Sequence, residues 1–376
     1  MDDGSVPVSG TVAPEGVVQV ALESVQRELS PGMQVYASVG GRTVADFAVG
    51  SSGPGVLRPT TAVAWLSATK PVVAIALGRL RAAGRLELDD RVTRYVPEFA
   101  AEGKAEATIA HLLTHTVPFE HDVALDAVVG GWDAALDAAC RARLLRGQRV
   151  GAAVRYTAFA AWQVLGEIVQ RLADEPLGSH VRSTIFEPLG MACSSLGAAP
   201  LAPEPPERSE MLDRRAAAAA TGSLVPYEVG VGLALPGMGG IGPMHELGRF
   251  YEALRSTESA AATLGVDPAT LERMTTTQRR RRYDVRYGTE ADWGLGFITD
   301  RRILGGSRLS RQVFGHDGRL CSVAFCDREI GLVACLMANA LTDGWANARR
   351  LRGVIEAILD EVGTTGGRRV RSGARG

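Results

Sequence analysis

Trp65-Leu66-Ser67-Ala68-Thr69-Lys70-Pro71 is the stretch at which a polar approach turns into a long apolar run. Residues 72–83 are apolar all round, broken only at Arg79 and Arg81, and this pattern predicts a buried helix. We therefore expect Ser67 at the N-terminus of that helix. Free backbone N–H groups and the helix dipole favour a developing negative charge at such a position.

Ser67 and Lys70 are three residues apart, so a helix places their side chains on the same face. A lysine partly withdrawn from water loses some of its preference for the charged form, and its amine can then accept a serine proton. Among the 41 Lys and Arg residues only Lys70 and Lys104 are lysines, and arginine cannot act as a base at neutral pH. The pair predicts a nucleophile and its base, with an accidental Ser-x-x-Lys in an arginine-rich chain as the alternative.

Length, composition and charge exclude several classes of protein. The chain has 376 residues and 46% hydrophobic content, enough for one large domain or two closely joined ones. A formal net charge of −1 offers no overall field for nucleic acid or an anionic membrane. Residues 1–4 carry no secretory signal, so a cytoplasmic location is expected, and the interrupted stretch 216–244 is not a membrane span. The oligomeric state stays open.

Hydrophobic periodicity predicts strands near both ends of the chain and helices between them. Residues 17–29 have helical spacing, and 34–39 and 43–48 are typical of two strands around a Gly40-Gly41 turn. Further helices are predicted over 107–114, 132–145, 158–173, 181–186, 244–254 and 345–362, and further strands over 293–298, 322–326 and 331–337.

This order of elements predicts an α+β fold, in which helices flank an antiparallel sheet built from both chain ends. An all-helical domain is inserted between the two parts of the sheet. We expect the α/β domain to comprise residues 1–84 and 288–362, and the helical domain residues 85–287. The Arg- and Gly-rich tail, 363–376, is predicted to be disordered.

Five sequence motifs lie along the chain: Ser67-Ala68-Thr69-Lys70, Leu86-Glu87-Leu88-Asp89-Asp90, His111-Leu112-Leu113-Thr114-His115-Thr116, Ile185-Phe186-Glu187-Pro188-Leu189-Gly190-Met191 and Phe314-Gly315-His316-Asp317-Gly318. In this order they resemble the serine β-lactamase-like superfamily, and in particular its class C branch of esterases, D-alanyl-D-alanine peptidases and related acyltransferases. The resemblance covers nearly the whole chain. It implies a β-lactamase/transpeptidase-like fold with the active site in the cleft between the two domains.

Three motifs supply the chemistry in that family. The first, Ser67 and Lys70, matches fully. The second is Tyr-x-Asn, and here Tyr156-Thr157-Ala158 retains the tyrosine but has Ala158 in place of the asparagine. The resemblance implies that Tyr156 acts as a base and later as an acid, since a nearby Lys70 cation would favour the phenolate. The side-chain amide that normally holds a substrate amide carbonyl is lost.

The third family motif is Lys-Thr-Gly on a strand edge, and His316-Asp317-Gly318 takes its place here, a form that esterase-like members also resemble. The resemblance implies that His316 is a polar or cationic wall of the pocket and that Gly318 lets substrate approach the strand. It also implies an oxyanion hole made by the backbone N–H groups of Arg319 and Ser67. Without this context, both Tyr156 and His316 would be interpreted as structural residues.

Two further patterns are weaker candidates for sites. His111 and His115 have the spacing of paired metal ligands, but no glutamate follows His111, and hydrogen-bonded packing is favoured. Gly237, Gly239 and Gly242 match a dinucleotide fingerprint in spacing only, because no βαβ unit surrounds them. We interpret them as a flexible loop before the next helix.

A run of arginines is one more candidate for a binding site, whereas the cysteines are not. Arg279, Arg280, Arg281 and Arg282, together with Arg286, could receive a phosphate or carboxylate, although a charge run usually forms a solvated face. The five cysteines lack paired metal spacing and are interpreted as small hydrophobic residues, most clearly the three in apolar runs: Cys321, Cys326 and Cys335.

The leading hypothesis is an intracellular serine acyl-transfer enzyme that forms a Ser67 acyl-enzyme, either as an esterase or as a transacylase of secondary metabolism. A small-molecule ester, thioester or amide would be the acyl donor, and an alcohol or amine a candidate acceptor. No metal, cofactor, nucleic acid or membrane is expected as a partner. Ala158 favours esters over amides as substrates. The alternatives are a β-lactamase or D,D-peptidase, and a catalytically inactive binding protein of the same fold.

Overall fold

The computed structural model describes residues 6–197, 202, 207–213, 233–285, 287–318, 321–342 and 344–372. Its strands are β1 (Val8–Val12), β2 (Gly32–Val39), β3 (Arg42–Gly50), β4 (Val63–Ala64), β5 (Ser195–Leu196), β6 (Leu212–Asp213), β7 (Gly240–Gly242), β8 (Arg279–Asp284), β9 (Thr289–Trp293), β10 (Val313–Gly318), β11 (Ser322–Asp327), β12 (Leu332–Ala338) and β13 (Ala340–Leu341). Its α-helices are α1 (Glu15–Gln26), α2 (Lys70–Ala82), α3 (Ile109–Leu113), α4 (Leu125–Val129), α5 (Trp132–Arg141), α6 (Ala160–Ala173), α7 (Leu177–Val181), α8 (Met244–Leu254), α9 (Thr257–Leu264), α10 (Pro268–Thr275), α11 (Arg301–Leu304) and α12 (Gly344–Ser372).

Strands from both ends of the chain form one antiparallel sheet with the order β1-β3-β2-β12-β11-β10. β2 and β3 form the predicted hairpin, and its turn residues Gly40 and Gly41 have φ values of 57° and 81°, a region that glycine adopts readily. β2 also pairs with β12, where Val35 lies opposite Leu336, so the two chain ends meet in the middle of the sheet. The predicted α+β class is confirmed, and β10 is left as an edge strand.

Different helices cover the two faces of the sheet. Val35 and Ala37 of β2 belong to the apolar cluster that includes α1 and α12, while Tyr36 between them belongs to the cluster on the opposite face. Tyr36 packs against Gly248 of α8, where an added Cβ atom would lie 2.2 Å from the ring carbon Cε1. The sheet is therefore buried on both faces.

Helix α2 forms the centre of the helical region and is buried on almost every side, as predicted. Residues 70–78 and Leu80 are all buried. Helix α6 packs against α2, and α5 packs in turn against α6. Because densely packed interiors resist displacement, this helix holds the turn that precedes it in a defined position between helices and sheet.

One predicted strand is mostly a turn. The segment 293–298 leaves β9 at Trp293, since Gly294 N donates a hydrogen bond to Phe297 O and reverses the chain. Gly296 has a φ of 83° and lies so close to α2 that an added Cβ atom would be 2.4 Å from Ala74 Cβ. Apolar residues do alternate along this segment, but Gly294 and Gly296 end the strand.

The C-terminal helix is longer than predicted. We expected it to end at Val362 with a disordered tail beyond, whereas α12 continues to Ser372. Elongating an existing helix costs far less than starting one, so a docked helix can extend into a polar segment. Residues 373–376 of the predicted tail lie outside the described residues. The domain boundaries remain predictions. Among the described helices, none has both the length and the apolar character needed to cross a bilayer.

Candidate active site

Ser67 lies in a short 3-10 turn, Leu66–Thr69, that leads directly into α2. The turn is held from outside: the Trp65 indole N–H donates to Gly242 O at 2.9 Å, and Gly240 N donates to Thr69 Oγ1 at 2.9 Å. Leu66 has a φ of 50°, a left-handed conformation that non-glycine residues rarely adopt. The predicted position of Ser67 at a helix start is confirmed, with local strain at the preceding residue.

Lys70 is fully buried, and its Nζ donates to Ser67 Oγ at 3.1 Å and to Gly237 O at 2.7 Å. Burial lowers the pKa of Lys70 to about 7, even though the charges of Asp122 and Asp317 act in the opposite direction. An amine with this pKa is partly neutral at physiological pH and can accept a proton. Lys104 is buried too, but it is bound by the carbonyls of Ala101 and Ala142.

Tyr156 reaches the same serine from the opposite segment of the chain. Its Oη donates to Ser67 Oγ at 2.8 Å, and its ring lies under the Lys70 ammonium at 5.1 Å from the ring centroid. The Tyr156 main-chain N–H donates to the buried carboxylate of Asp284 at 2.6 Å, and the His115 ring packs 4.5 Å from the tyrosine ring. The structure thus brings together the three residues predicted to be catalytic.

Ala158 lies just after this tyrosine, before the start of α6. Its N–H donates to Asp122 Oδ2 at 2.7 Å, and Ala160 N donates to Asp122 Oδ1 at 2.8 Å. The Asp122 carboxylate therefore caps α6 and fixes the Tyr156–Ala158 segment beside Lys70. Sequence analysis missed Asp122 and Asp284, because neither lies in a motif or near Tyr156 in the sequence.

His316 lies on the edge strand β10, as expected from its motif, but it is not a cationic wall. It has no exposed surface, and its Nδ1–H donates to Asp317 O at 2.7 Å. Burial and the nearby Lys70 charge lower the pKa of His316 to about 3, so the ring is neutral. Its Nδ1 lies 3.7 Å from Asp317 Oδ1, yet a neutral ring forms no ion pair there. Of the two alternatives that the resemblance implies, burial disfavours the cationic one, and sequence cannot show how deeply a strand residue is buried.

Gly318 packs directly against the catalytic turn, and its predicted contact with substrate stays a prediction. An added Cβ atom would lie 2.1 Å from Ser322 Oγ and 2.7 Å from Trp65 O. Ser322 Oγ itself donates to Trp65 O at 2.9 Å. The absence of a side chain thus allows β10 and β11 to pack directly against the residues before Ser67. Arg319, predicted to contribute to the oxyanion hole, lies outside the described residues.

The two histidines considered as metal ligands have other roles. His111 forms a capping box with Thr108 at the start of α3, through hydrogen bonds in both directions. His115 is buried, and its Nδ1 accepts a hydrogen bond from Thr157 N at 3.4 Å. Burial, with the charges of Lys70 and Arg279, keeps the pKa of His115 well below its usual range. The interpretation of both as hydrogen-bonded packing residues agrees with these contacts.

The glycine segment interpreted as a flexible loop is part of the site. Gly237 provides the carbonyl that binds Lys70, and Gly240–Gly242 form β7, which pairs with β4 just before the catalytic turn. An added Cβ atom at Gly237 would lie 2.1 Å from Ala158 O. Glycine is needed here for close packing against Ala158, which a sequence pattern alone does not distinguish from flexibility.

Arginines 279–282 divide into two pairs. Arg279 is buried, donates to Thr114 O at 2.7 Å and stacks on Trp293 at 5.0 Å. Arg282 donates to the carbonyls of Gly151 and Ala152. Both are structural, in contrast to the solvated face expected for the whole run, and Arg280 and Arg281 are exposed. Arg286 lies outside the described residues. All five cysteines are free thiols, and Cys321, Cys326 and Cys335 are buried, as expected for small hydrophobic residues.

Known proteins have sequences similar to this chain. The sequence model of a family described as Beta-lactamase matches residues 19–358. Esterase EstB from Burkholderia gladioli is 29% identical over 337 residues, which is 77% of this chain and 80% of EstB.

Solved structures of related proteins share the fold. A penicillin-binding protein homologue from Caulobacter crescentus superimposes with a TM-score of 0.79 at 24% identity, covering 95% of this chain and 99% of its own. A family VIII carboxylesterase gives a TM-score of 0.79 at 24% identity, covering 93% and 98%. EstCE1, described as a hydrolase with promiscuous acyltransferase activity, gives 0.75 at 19% identity, covering 92% and 97%.

Proposed function

This chain belongs to the beta-lactamase family and is a serine hydrolase, and on that premise we propose that it cleaves small-molecule carboxylic esters through a Ser67 acyl-enzyme. The observation that carries the proposal is the convergence of two groups on one hydroxyl: Lys70 Nζ at 3.1 Å and Tyr156 Oη at 2.8 Å from Ser67 Oγ. This geometry provides a nucleophile with both a proton acceptor and a proton donor.

Acylation begins with transfer of the Ser67 proton to neutral Lys70 while Oγ bonds to the ester carbonyl carbon. The carbonyl oxygen becomes an oxyanion near the Ser67 N–H, at the start of a helical segment where negative charge is favoured. Tyr156 then donates its proton to the departing alkoxide as the carbon–oxygen bond breaks, and Lys70 returns a proton to Tyr156. The products of this step are a free alcohol and a neutral Ser67 ester.

Deacylation is the reverse sequence with a new nucleophile. Water gives a carboxylic acid, whereas an alcohol or amine gives a transferred acyl group, so the same residues serve an esterase or a transacylase. EstCE1, which shares the fold, is described as a hydrolase with promiscuous acyltransferase activity. We infer that acyl transfer competes with hydrolysis when a suitable acceptor occupies the cleft.

Ala158 supports esters rather than amides as substrates. The family's asparagine amide is absent, and the Ala158 N–H is already bound to Asp122 at 2.7 Å. An ester presents no N–H group that would require a side-chain amide partner. EstB, the similar curated protein, is itself an esterase. A β-lactamase or D,D-peptidase stays the second candidate, since the matched family is described as Beta-lactamase and a penicillin-binding protein homologue shares the fold.

The test compares p-nitrophenyl acetate and butyrate with nitrocefin, and follows the protein by intact mass spectrometry. We expect kcat/KM for the esters to exceed that for nitrocefin by about tenfold or more, and an acyl adduct that is absent in Ser67→Ala. An added alcohol or amine should divert part of the acyl group to a transfer product. Faster turnover of nitrocefin would favour a β-lactamase, and no adduct with any substrate would favour a binding protein.

A further inference from the structure

An arginine-rich cavity of about 540 Å³ lies between β8, β9 and the segment 299–311, and its lining does not include Ser67, Lys70 or Tyr156. Five arginines line it: Arg280, Arg281, Arg301, Arg302 and Arg311. Its size falls within the range of about 300–1,000 Å³ that small-molecule sites occupy. We propose that this cavity binds a small phosphate-bearing anion with at least two negative charges.

The positive charge in the cavity is only partly neutralised. Arg302 pairs with Asp300 at 2.5 Å, and Asp292 is the other acidic residue of the lining. Among the described residues, no hydrogen-bond or ion-pair partner is found for the side chains of Arg280, Arg281 and Arg311. The cavity therefore keeps an excess of guanidinium groups, the side chain best suited to bidentate phosphate binding.

The backbone of β8 places two consecutive arginines at this cavity. Successive residues of a regular strand point to opposite faces, but the pairing of β8 with β9 is irregular between Arg279 and Arg282. Within this bulge Arg281 has a φ of 33°, a left-handed conformation that is strained for arginine. Bulges commonly redirect a side chain at a functional position. In this bulge the Arg281 main-chain N–H donates to Asp292 Oδ1 at 2.7 Å, which holds the two arginines at the cavity.

Neutral donors complete the lining. Thr277 Oγ1 and Thr299 Oγ1 are 2.9 Å apart at the cavity, and Ser307 adds a third hydroxyl. Hydroxyl groups beside guanidinium groups suit the several acceptor oxygens of a phosphate. A long polyanion is disfavoured, since the whole chain has a formal net charge of −1 and the positive charge is confined to this concavity.

The experiment is isothermal titration calorimetry of the full chain with pyrophosphate, with sodium sulfate as a second titrant. The cavity variant is Arg280→Gln with Arg311→Gln. The matched control, Arg42→Gln with Arg146→Gln, removes the same charge from two exposed arginines elsewhere. We expect the cavity variant to bind pyrophosphate about tenfold more weakly, the control to stay within about twofold of the parent, and sulfate to bind more weakly than pyrophosphate.

A second variant, Arg281→Gly, suits the left-handed backbone and removes one guanidinium, so pyrophosphate affinity should fall while thermal stability is retained. Three outcomes would overturn the proposal: no binding by the parent, equal weakening in the control pair, or binding of a DNA duplex in preference to pyrophosphate. Each readout is binding, so the result is independent of whether Ser67 cleaves esters.

Discussion

Lys70 Nζ is bound by the main-chain carbonyl of Gly237 at 2.7 Å, and no carboxylate lies within ion-pair distance of it among the described residues. The carbonyl satisfies one amine proton without stabilising the positive charge as strongly as a carboxylate would. Burial can then lower the pKa of Lys70 to about 7. The amine is accordingly able to lose and regain a proton beside Ser67 at physiological pH.

The first prediction concerns pH. Because burial lowers the pKa of Lys70 to about 7, and because the neutral amine is the acceptor, ester kcat/KM should rise with pH below this value and level off above it. The rising limb should approach about tenfold per pH unit. The measurement is a pH–rate profile after subtraction of the Ser67→Ala background. A rate that falls as pH rises through 7 would contradict the role of Lys70 as acceptor.

The second prediction separates the two buried lysines. Lys70→Arg should be nearly inactive, since guanidinium keeps its proton at neutral pH. Ser67→Ala should lose at least roughly 10⁴-fold in kcat while remaining folded, because the nucleophile alone is removed. Lys104→Arg makes the same change at the other buried lysine and should retain its activity per folded molecule. Ester turnover and circular dichroism of the three variants are the measurements, and comparable losses in Lys70→Arg and Lys104→Arg would refute the assignment.

The third prediction concerns Ala158. If the pocket is shaped for esters, Ala158→Asn should leave ester turnover unchanged or reduce it, because the amide crowds a site now occupied by a methyl group. If the chain is instead a β-lactamase that has lost one contact, the added amide should raise nitrocefin kcat/KM by roughly tenfold, equivalent to about 1 kcal/mol or more. Both substrates are measured on parent and variant. A clear gain with nitrocefin and no loss with esters would count against the esterase proposal.

The fourth prediction concerns Gly318. Alanine there would place Cβ 2.1 Å from Ser322 Oγ and 2.7 Å from Trp65 O, so β10 must move away from the catalytic turn. We expect a loss of about 1–3 kcal/mol in the free energy of unfolding and a lower kcat. Gly16→Ala is the control, because nothing lies within 4 Å of its added Cβ atom. Thermal melts and ester turnover test this, and a fully active, fully stable Gly318→Ala would show that the close packing is unnecessary.

The fifth prediction concerns Asp284, which positions Tyr156 through a hydrogen bond of 2.6 Å to its main-chain N–H. In the parent, the two Asp284 carboxylate oxygens accept hydrogen bonds from the main-chain N–H groups of Tyr156 and Tyr287. Asp284→Asn replaces one of these oxygens with an amide NH₂ group, which cannot accept. Ester kcat should fall about tenfold or more as the phenol moves away from Ser67. Asp327→Asn, which alters a buried carboxylate bound to Ser310 at the far end of β11, should affect stability but not kcat. Equal effects on kcat would mean that Asp284 acts only through stability.

Only local relationships can be inferred from the sequence. The pairing of Ser67 with Lys70 follows from three-residue spacing on a helix, and the hairpin β2–β3 follows from alternation around two glycines. The buried character of α2 was readable for the same reason, since its apolar residues occur on every side. The α+β fold follows from the order of the predicted elements. The ordered motifs added Tyr156, through resemblance to a family.

The surroundings of those residues depend on the tertiary structure. Tyr156 reaches Ser67 across 89 residues, and the Gly237 carbonyl reaches Lys70 across 167. The lowered pKa of Lys70 and the neutral state of His316 both arise from burial. Burial depends on which distant segments pack around a side chain, and hydrogen-bond partners depend on the same packing. Local sequence patterns show neither the burial of a side chain nor its distant hydrogen-bond partners. The sequence therefore identifies the reacting groups, while the fold sets their protonation states.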